Sequence, residues 1–262
     1  MSARAARLLI VAAALLLCAS IPASAELNKE GDLEVSFDGG LSPTRLPRTA
    51  TVPVAVRVSG NVMSATGNDD QLPQLRTISV AINRQGRLFD RGLPTCQVKT
   101  IQPATEDGAR AVCGGALVGS GHVTVQVHIP NQPAFTIRAK LLAFNGPRKN
   151  GNKLILAQAY ARNPPGAFIL TFSLSKHRGI FGTVMSTTLP HTAQNWAYIT
   201  HFDMTLHRTY DYRGERRSYI SAACTAPDGF ASAFFPFAKA TYVFANGSRL
   251  TTSVARRCEV RG

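Results

Sequence analysis

From Val52 onward, hydrophobic and polar residues alternate with a period of two over short stretches, and most stretches end in glycine, proline or asparagine. Val52, Val54, Val56 and Val58 alternate with Pro53, Ala55 and Arg57, which predicts a strand whose proline marks a sheet edge. Ile78, Val80 and Ile82 repeat the pattern ahead of an Arg84-Gln85-Gly86 turn. The clearest strand runs from His122 to Ile129. Val123, Val125, Val127 and Ile129 share one face; His122, Thr124, Gln126 and His128 share the other. Phe168, Leu170, Phe172 and Leu174 alternate likewise, as do Phe202, Met204 and Leu206. Asn145-Gly146 and Asn246-Gly247 predict hairpin turns, Asn163-Pro164-Pro165-Gly166 breaks the chain, and Gly67-Asn68-Asp69-Asp70 reads as a loop.

Past residue 25, no window of about a dozen residues holds a helical period. One short helix or turn is predicted around Thr192 to Trp196. Many short strands separated by turn residues predict an all-β fold, antiparallel and sandwich-like. The stretch Ile78–Arg84 ahead of Cys96 echoes Phe202–Arg208 ahead of Cys224. That echo predicts two related β lobes, over residues 26–145 and 146–262, with chance likeness between alternating strands as the alternative.

The first 25 residues follow a different pattern. Arg4 and Arg7 precede an unbroken apolar run, Leu8 to Leu17, and Ala23-Ser24-Ala25 supplies the small-residue site that signal peptidase accepts. The run is about half the ~20 residues that a bilayer span needs, so the expectation is a signal peptide cleaved after Ala25. Cys18 follows bulky Leu17 rather than the small residue that lipid attachment favours. The mature chain, residues 26–262, is therefore expected to be secreted or extracytoplasmic, without a transmembrane segment.

Export changes the meaning of the cysteines. Cys96, Cys113, Cys224 and Cys258 remain after cleavage, an even number that reads as disulfides with three possible pairings. Near-neighbour pairing would place one bridge in each half. Zinc is disfavoured, since there is no C-x-x-C pair and no histidine at ligand spacing beside a cysteine. Charge narrows the partners. The formal net charge is +14, and losing Arg4 and Arg7 leaves +12. Arginine makes up 22 of the 29 basic residues. Such a surface attracts polyanions at low salt, which outside a cell means an anionic envelope polymer or polysaccharide rather than a specific nucleic acid.

Candidate chemistry is sparse. On a strand from His201 to His207, Phe202, Met204 and Leu206 would face the core, with His201, Asp203, Thr205 and His207 opposite. A carboxylate beside an imidazole can orient it as a general base, so His201 and Asp203 form a candidate catalytic pair. A solvated strand face is the plainer alternative. His201 and His207 would stand ~20 Å apart, too far to share an ion. Val118-Gly119-Ser120-Gly121 lacks the first glycine of a nucleophile elbow and is read as a tight turn. No metal or cofactor motif is present. The segment Arg208–Tyr219 interleaves Arg208, Arg213, Arg216 and Arg217 with Tyr210 and Tyr212. Guanidinium forks suit phosphate or carboxylate and tyrosine rings can stack, so these six are the candidate ligand-binding residues. An ordinary hairpin with cross-strand charge pairs is the alternative. Asn246-Gly247-Ser248 fits a glycosylation acceptor, although the Asn-Gly turn explains it alone.

The strings Gly92–Cys96, Cys113–Gly121, Leu141–Gly146 and Phe235–Ala240 resemble those of uncharacterised secreted proteins from actinobacteria. The resemblance implies a bacterial, exported, β-rich protein with paired cysteines, and carries no catalytic residue with it. The sequence thus predicts a non-enzymatic binding or structural module with a basic surface. The alternative is a secreted hydrolase built on His201 and Asp203.

Overall fold

The computed structural model describes residues 26–67, 72–189 and 196–261. The expected signal peptide with Cys18, most of the loop expected at 67–70, and the helix or turn expected at 192–196 apart from Trp196 lie outside the described residues.

The chain begins with strands β1 (Glu26–Glu30), β2 (Leu33–Ser42), β3 (Arg45–Leu46), β4 (Val52–Pro53), β5 (Ala55–Ser64), β6 (Leu75–Asn83) and β7 (Arg87–Leu88). Two short helices follow, α1 (Val98–Ile101) and α2 (Glu106–Cys113). A meander comes next: β8 (Leu117–Val127), β9 (Phe135–Asn145), β10 (Lys153–Arg162), β11 (Pro165–Lys176) and β12 (Phe181–Thr188). The last strands are β13 (Ala197–Leu206), β14 (Thr209–Tyr212), β15 (Glu215–Ser218), β16 (Ile220–Ala222), β17 (Ser232–Phe244) and β18 (Arg249–Val260).

Thirteen strands form one sheet in the order β1-β2-β5-β13-β8-β9-β10-β11-β12-β6-β17-β18-β3, antiparallel except for the β18–β3 pair. The all-β class is as the alternation predicts. Opposite walls of this one curled sheet supply the two layers that a sandwich draws from separate sheets. Strands from the two halves of the chain interleave, with β13 between β5 and β8 and β6 between β12 and β17.

The sheet curls until β1 and β2 lie against β18 with no ladder between them. Side chains span this seam. Asn28 Nδ2 donates to the Thr251 carbonyl at 2.8 Å, the buried Tyr242 hydroxyl donates to the Ser36 carbonyl at 3.1 Å, and Arg256 pairs with Asp38. Gly60 makes room for it: a Cβ there would sit 2.6 Å from the Phe202 ring and from the Tyr242 hydroxyl oxygen.

On the outer face of β9 and β10, Leu142, Phe144 and Leu156 pack under the helices, against Ile101, Ala109 and the Cys96–Cys113 bridge. Gln158, also buried there, donates to the carbonyls of Ile101 and Ala104, both at 2.7 Å. At eight residues, the α2 helix is too short to show a helical period in the sequence. Its signal is local: Thr105 Oγ1 accepts from the Gly108 N–H at 3.2 Å, and Glu106 and Asp107 complement the first turn. The second bridge, Cys224–Cys258, ties the chain after β16 to β18, so the pairing is near-neighbour.

Two local expectations are corrected. The valine run divides at Val54; β4 joins a small edge sheet, β4-β16-β7, while β5 enters the main sheet. Pro53 does sit on an edge strand. Val118-Gly119-Ser120-Gly121 is not a turn but lies within β8. Its glycines admit β13, since a Cβ on Gly121 would lie 2.0 Å from the Asp203 carbonyl oxygen.

Replacing Gly121 with Ala is expected to cost about 1–3 kcal/mol in urea unfolding, because backbone rather than a flexible side chain blocks the new methyl. Replacing Cys224 and Cys258 with Ala, which opens a loop of 34 residues, should cost about 4 kcal/mol on the chain-entropy account. An unchanged midpoint in either variant would contradict the packing described.

Candidate functional site

Antiparallel pairing sorts the connections between strands onto two ends of the curled sheet. One end is marked by the partners Ser42–Ala55, Val56–Leu206, Leu117–Phe144, Lys153–Leu174 and Lys176–Thr183. Segments 43–54, 84–91, 145–153, 176–181, 207–219, 223–231 and 255–261 gather there. Together they carry 17 lysines and arginines against five acids. The described segments at the opposite end are 26–34, 64–67, 72–76, 127–138, 160–167, 188–189, 196–197 and 244–250. These carry five basic residues and four acids. The positive charge of the chain is therefore concentrated at one end.

Four of those 17 residues lie on or beside the β14–β15 hairpin. Arg213 and Gly214 form its turn with φ of 54° and 79°, the left-handed pair that a two-residue hairpin favours. Arg213 lies 5.3 Å over the Tyr212 ring and Arg217 lies 5.4 Å over Phe89. Arg216 reaches Asp211 at 3.3 Å across the hairpin and Thr209 Oγ1 at 2.9 Å, and Arg217 pairs with Glu215. Arg213, Arg216 and Arg217 are exposed, whereas Arg208 is half-buried and its Nε has no hydrogen-bond partner among the described residues.

Tyr210 does not present its ring to a ligand. It is buried under the hairpin, with its hydroxyl directed at the carbonyls of Arg91 (2.9 Å) and Phe89 (3.1 Å). Tyr212 is half-buried, edge-on to Phe89. Tyr210 and Tyr212 thus fix the hairpin, and Arg213, Arg216 and Arg217 face solvent.

Several other cations of this end are committed. Arg48 donates to the carbonyls of Ala226, Pro227 and Phe230, pinning that loop. Arg148 and Lys153 share Asp90 at 3.2 and 2.6 Å. Exposed apolar side chains stand among the charges: Phe234, Phe230 and Ile180 are 72%, 64% and 57% exposed.

His201 and Asp203 share the outer wall of β13, as the alternation predicts. His201 Nδ1 lies 2.7 Å from Asn61 Oδ1 and donates to it, and Asn61 Nδ2 donates to Ser36 Oγ at 2.8 Å. The orienting partner is an amide, not the carboxylate. Asp203 Oδ2 is 3.7 Å from His201 Nε2, beyond hydrogen-bond range, and 3.3 Å from His122 Nδ1 on β8. The pair lies on the wall opposite to the side chains that line the interior. Among the described residues, no group of three or more His, Cys, Asp and Glu is placed to hold a metal ion.

The interior holds a feature that the sequence does not announce. At the balanced end a cavity of ≈ 310 Å³ is lined by Val125, Val127, Ile137, Ala161, Phe168 and their neighbours, with Gln74 as its polar side chain. It shares Leu75, Leu170, Leu189 and Ile199 with a deeper, wholly apolar cavity of ≈ 60 Å³ that reaches Phe172, Met185, Phe202 and Met204. Comparison with known protein families, curated proteins and solved structures finds no match for this chain.

Among the described residues, no helix is long and apolar enough to cross a membrane. Burial pushes the Tyr210 phenol up to about 12, with the charge of Asp90 adding to it, and burial also raises Tyr219 and Tyr242. Each folded-state value lies above the unfolded one near 10, so this stability is intact below about pH 10 and is lost as pH climbs through about 12. Unfolding followed at 295 nm should show tyrosine ionisation coinciding with loss of structure above pH 10, shifted upward in Tyr219→Phe. Ionisation complete before unfolding would contradict the burial.

Proposed function

We propose that the protein works outside the cytoplasm as a non-enzymatic binding module that engages an anionic envelope polymer or polysaccharide through its basic end. The observation that carries this reading is the concentration of 17 cations against five acids at one end of the sheet. Charges arranged this way add their fields over a polyanion that spans the end, whereas the same number scattered over the surface would be screened beyond ~8 Å at physiological ionic strength. Arginine supplies planar, bidentate donors for phosphate or carboxylate. The hairpin holds Arg213 in place at its turn, which lowers the entropy lost on binding. The two disulfides suit an oxidising compartment, and the signal-peptide pattern agrees with it.

A second reading draws on Phe230, Phe234 and Ile180, exposed at the same end. Apolar side chains among arginines also suit adsorption to an anionic lipid surface. The hydrolase reading gains no comparable support, since His201 is oriented by Asn61 and faces outward.

Retention on immobilised polyphosphate tests the proposal. Arg213→Ala, Arg216→Ala and Arg217→Ala combined should elute at clearly lower salt than the parent, because Asp211 and Glu215 then leave the hairpin acidic. The matched triple Lys29→Ala, Arg162→Ala and Arg249→Ala removes equal charge from the opposite end and should elute close to the parent. Equal shifts in the two triples would reject a basic-end site. Binding to anionic vesicles but not polyphosphate, abolished by Phe230→Ala with Phe234→Ala, would favour the lipid-surface reading instead.

A further inference from the structure

We infer that the interior of the curled sheet is a binding site for a single alkyl chain, entered from the end opposite the basic one. The inference is independent of the polymer reading, since it concerns other residues at the other end. The outer chamber, ≈ 310 Å³, falls within the size range of small-ligand sites, and the mouth of a barrel-like sheet is a usual place for one. Beyond it the ≈ 60 Å³ inner chamber continues through shared walls, so the space tapers inward.

Lining chemistry selects the ligand. Apart from Gln74 at the mouth, the chambers present aliphatic, aromatic and methionine side chains with alanine, proline and glycine. A sugar, nucleotide or peptide would lose its hydrogen bonds to water there without replacement. An alkyl chain loses none, and apolar cavities take apolar guests readily.

Shape selects among apolar ligands. Both chambers border β13, the outer one at Ala197 and Ile199 and the inner one at Ile199, Phe202 and Met204, so the apolar space is elongated along the strand. A rigid fused ring would fit the outer chamber and stop at the taper. A flexible chain continues inward, where Met185 and Met204 can re-pack around it.

Alanines on the inner walls of β10 and β13 create the space. Ala157 and Ala161 line the chambers from β10 and Ala197 stands at the mouth on β13, all on strands where larger side chains would fill the cavity.

Displacement of a fluorescent fatty acid, 11-(dansylamino)undecanoate, from the full mature protein tests the site. Saturable one-to-one binding is expected, with competition by saturated fatty acids strengthening by up to about fourfold per added methylene until the chambers are filled. Dodecanoate and a monoacyl phosphocholine of equal chain length distinguish a free acid from a lipid as the source, the stronger competitor naming it. Ala161→Phe should weaken binding at least tenfold. Ala197→Trp, at the half-exposed mouth, gives the same readout if Ala161→Phe fails to fold. The Arg213/Arg216/Arg217 triple should bind the probe like the parent. No saturable binding, indifference to chain length, stronger competition by a sterol than by any alkyl chain, or folded Ala161→Phe and Ala197→Trp variants that bind normally would each overturn the inference.

Discussion

Closure of the sheet is the constraint on which the rest depends. The helices cover the outer apolar patch of β9 and β10, but the apolar inner face of the thirteen-strand sheet leaves water only if the sheet rolls up on itself. The roll ends where β1 and β2 meet β18, and no main-chain ladder completes it. Tyr242, lying over Gly60 and bonded to the Ser36 carbonyl, supplies a buried contact across the gap, and the Asp38–Arg256 pair supplies a charged one. Gly119 and Gly121 perform the related service between β8 and β13, letting the two backbones approach where a side chain would hold them apart.

Closure also produces the polarity of the molecule. Antiparallel neighbours send alternate connections to opposite ends, so residues scattered through the sequence assemble into two unlike surfaces. Arg87, Arg148, Arg178, Arg213 and Arg257 are far apart in the chain, yet their segments share one end. The other end collects a nearly balanced set of charges around an apolar mouth. The same roll that buries the inner face leaves unfilled space inside it, because β9 and β10 place alanine at successive inward positions such as Ala139, Ala157, Ala159 and Ala161.

The alternation of valine, isoleucine and phenylalanine with polar residues made the strands legible, and the even cysteine count made the bridges legible as a class. The choice between a sandwich and one curled sheet was not, because strand period is identical in both. Nor was strand order: β13 lies between β5 and β8, far from either in sequence. The Arg208–Tyr219 segment was legible as a basic hairpin, but its tyrosines were not separable into ligand-facing and structural, since burial of Tyr210 depends on the Phe89–Arg91 loop. The cavity was invisible for a physical reason. An inward-facing alanine or valine reads as core whether or not another side chain meets it across the interior.

The central claim is that a polyanion meets this protein at one end. Amide hydrogen exchange of residues 26–262 with and without polyphosphate tests it directly. The account predicts slowed exchange in segments 84–91, 145–153 and 207–219, with 26–34 and 244–250 unchanged. Protection centred on 26–34 and 244–250, or spread evenly over both ends, would contradict it.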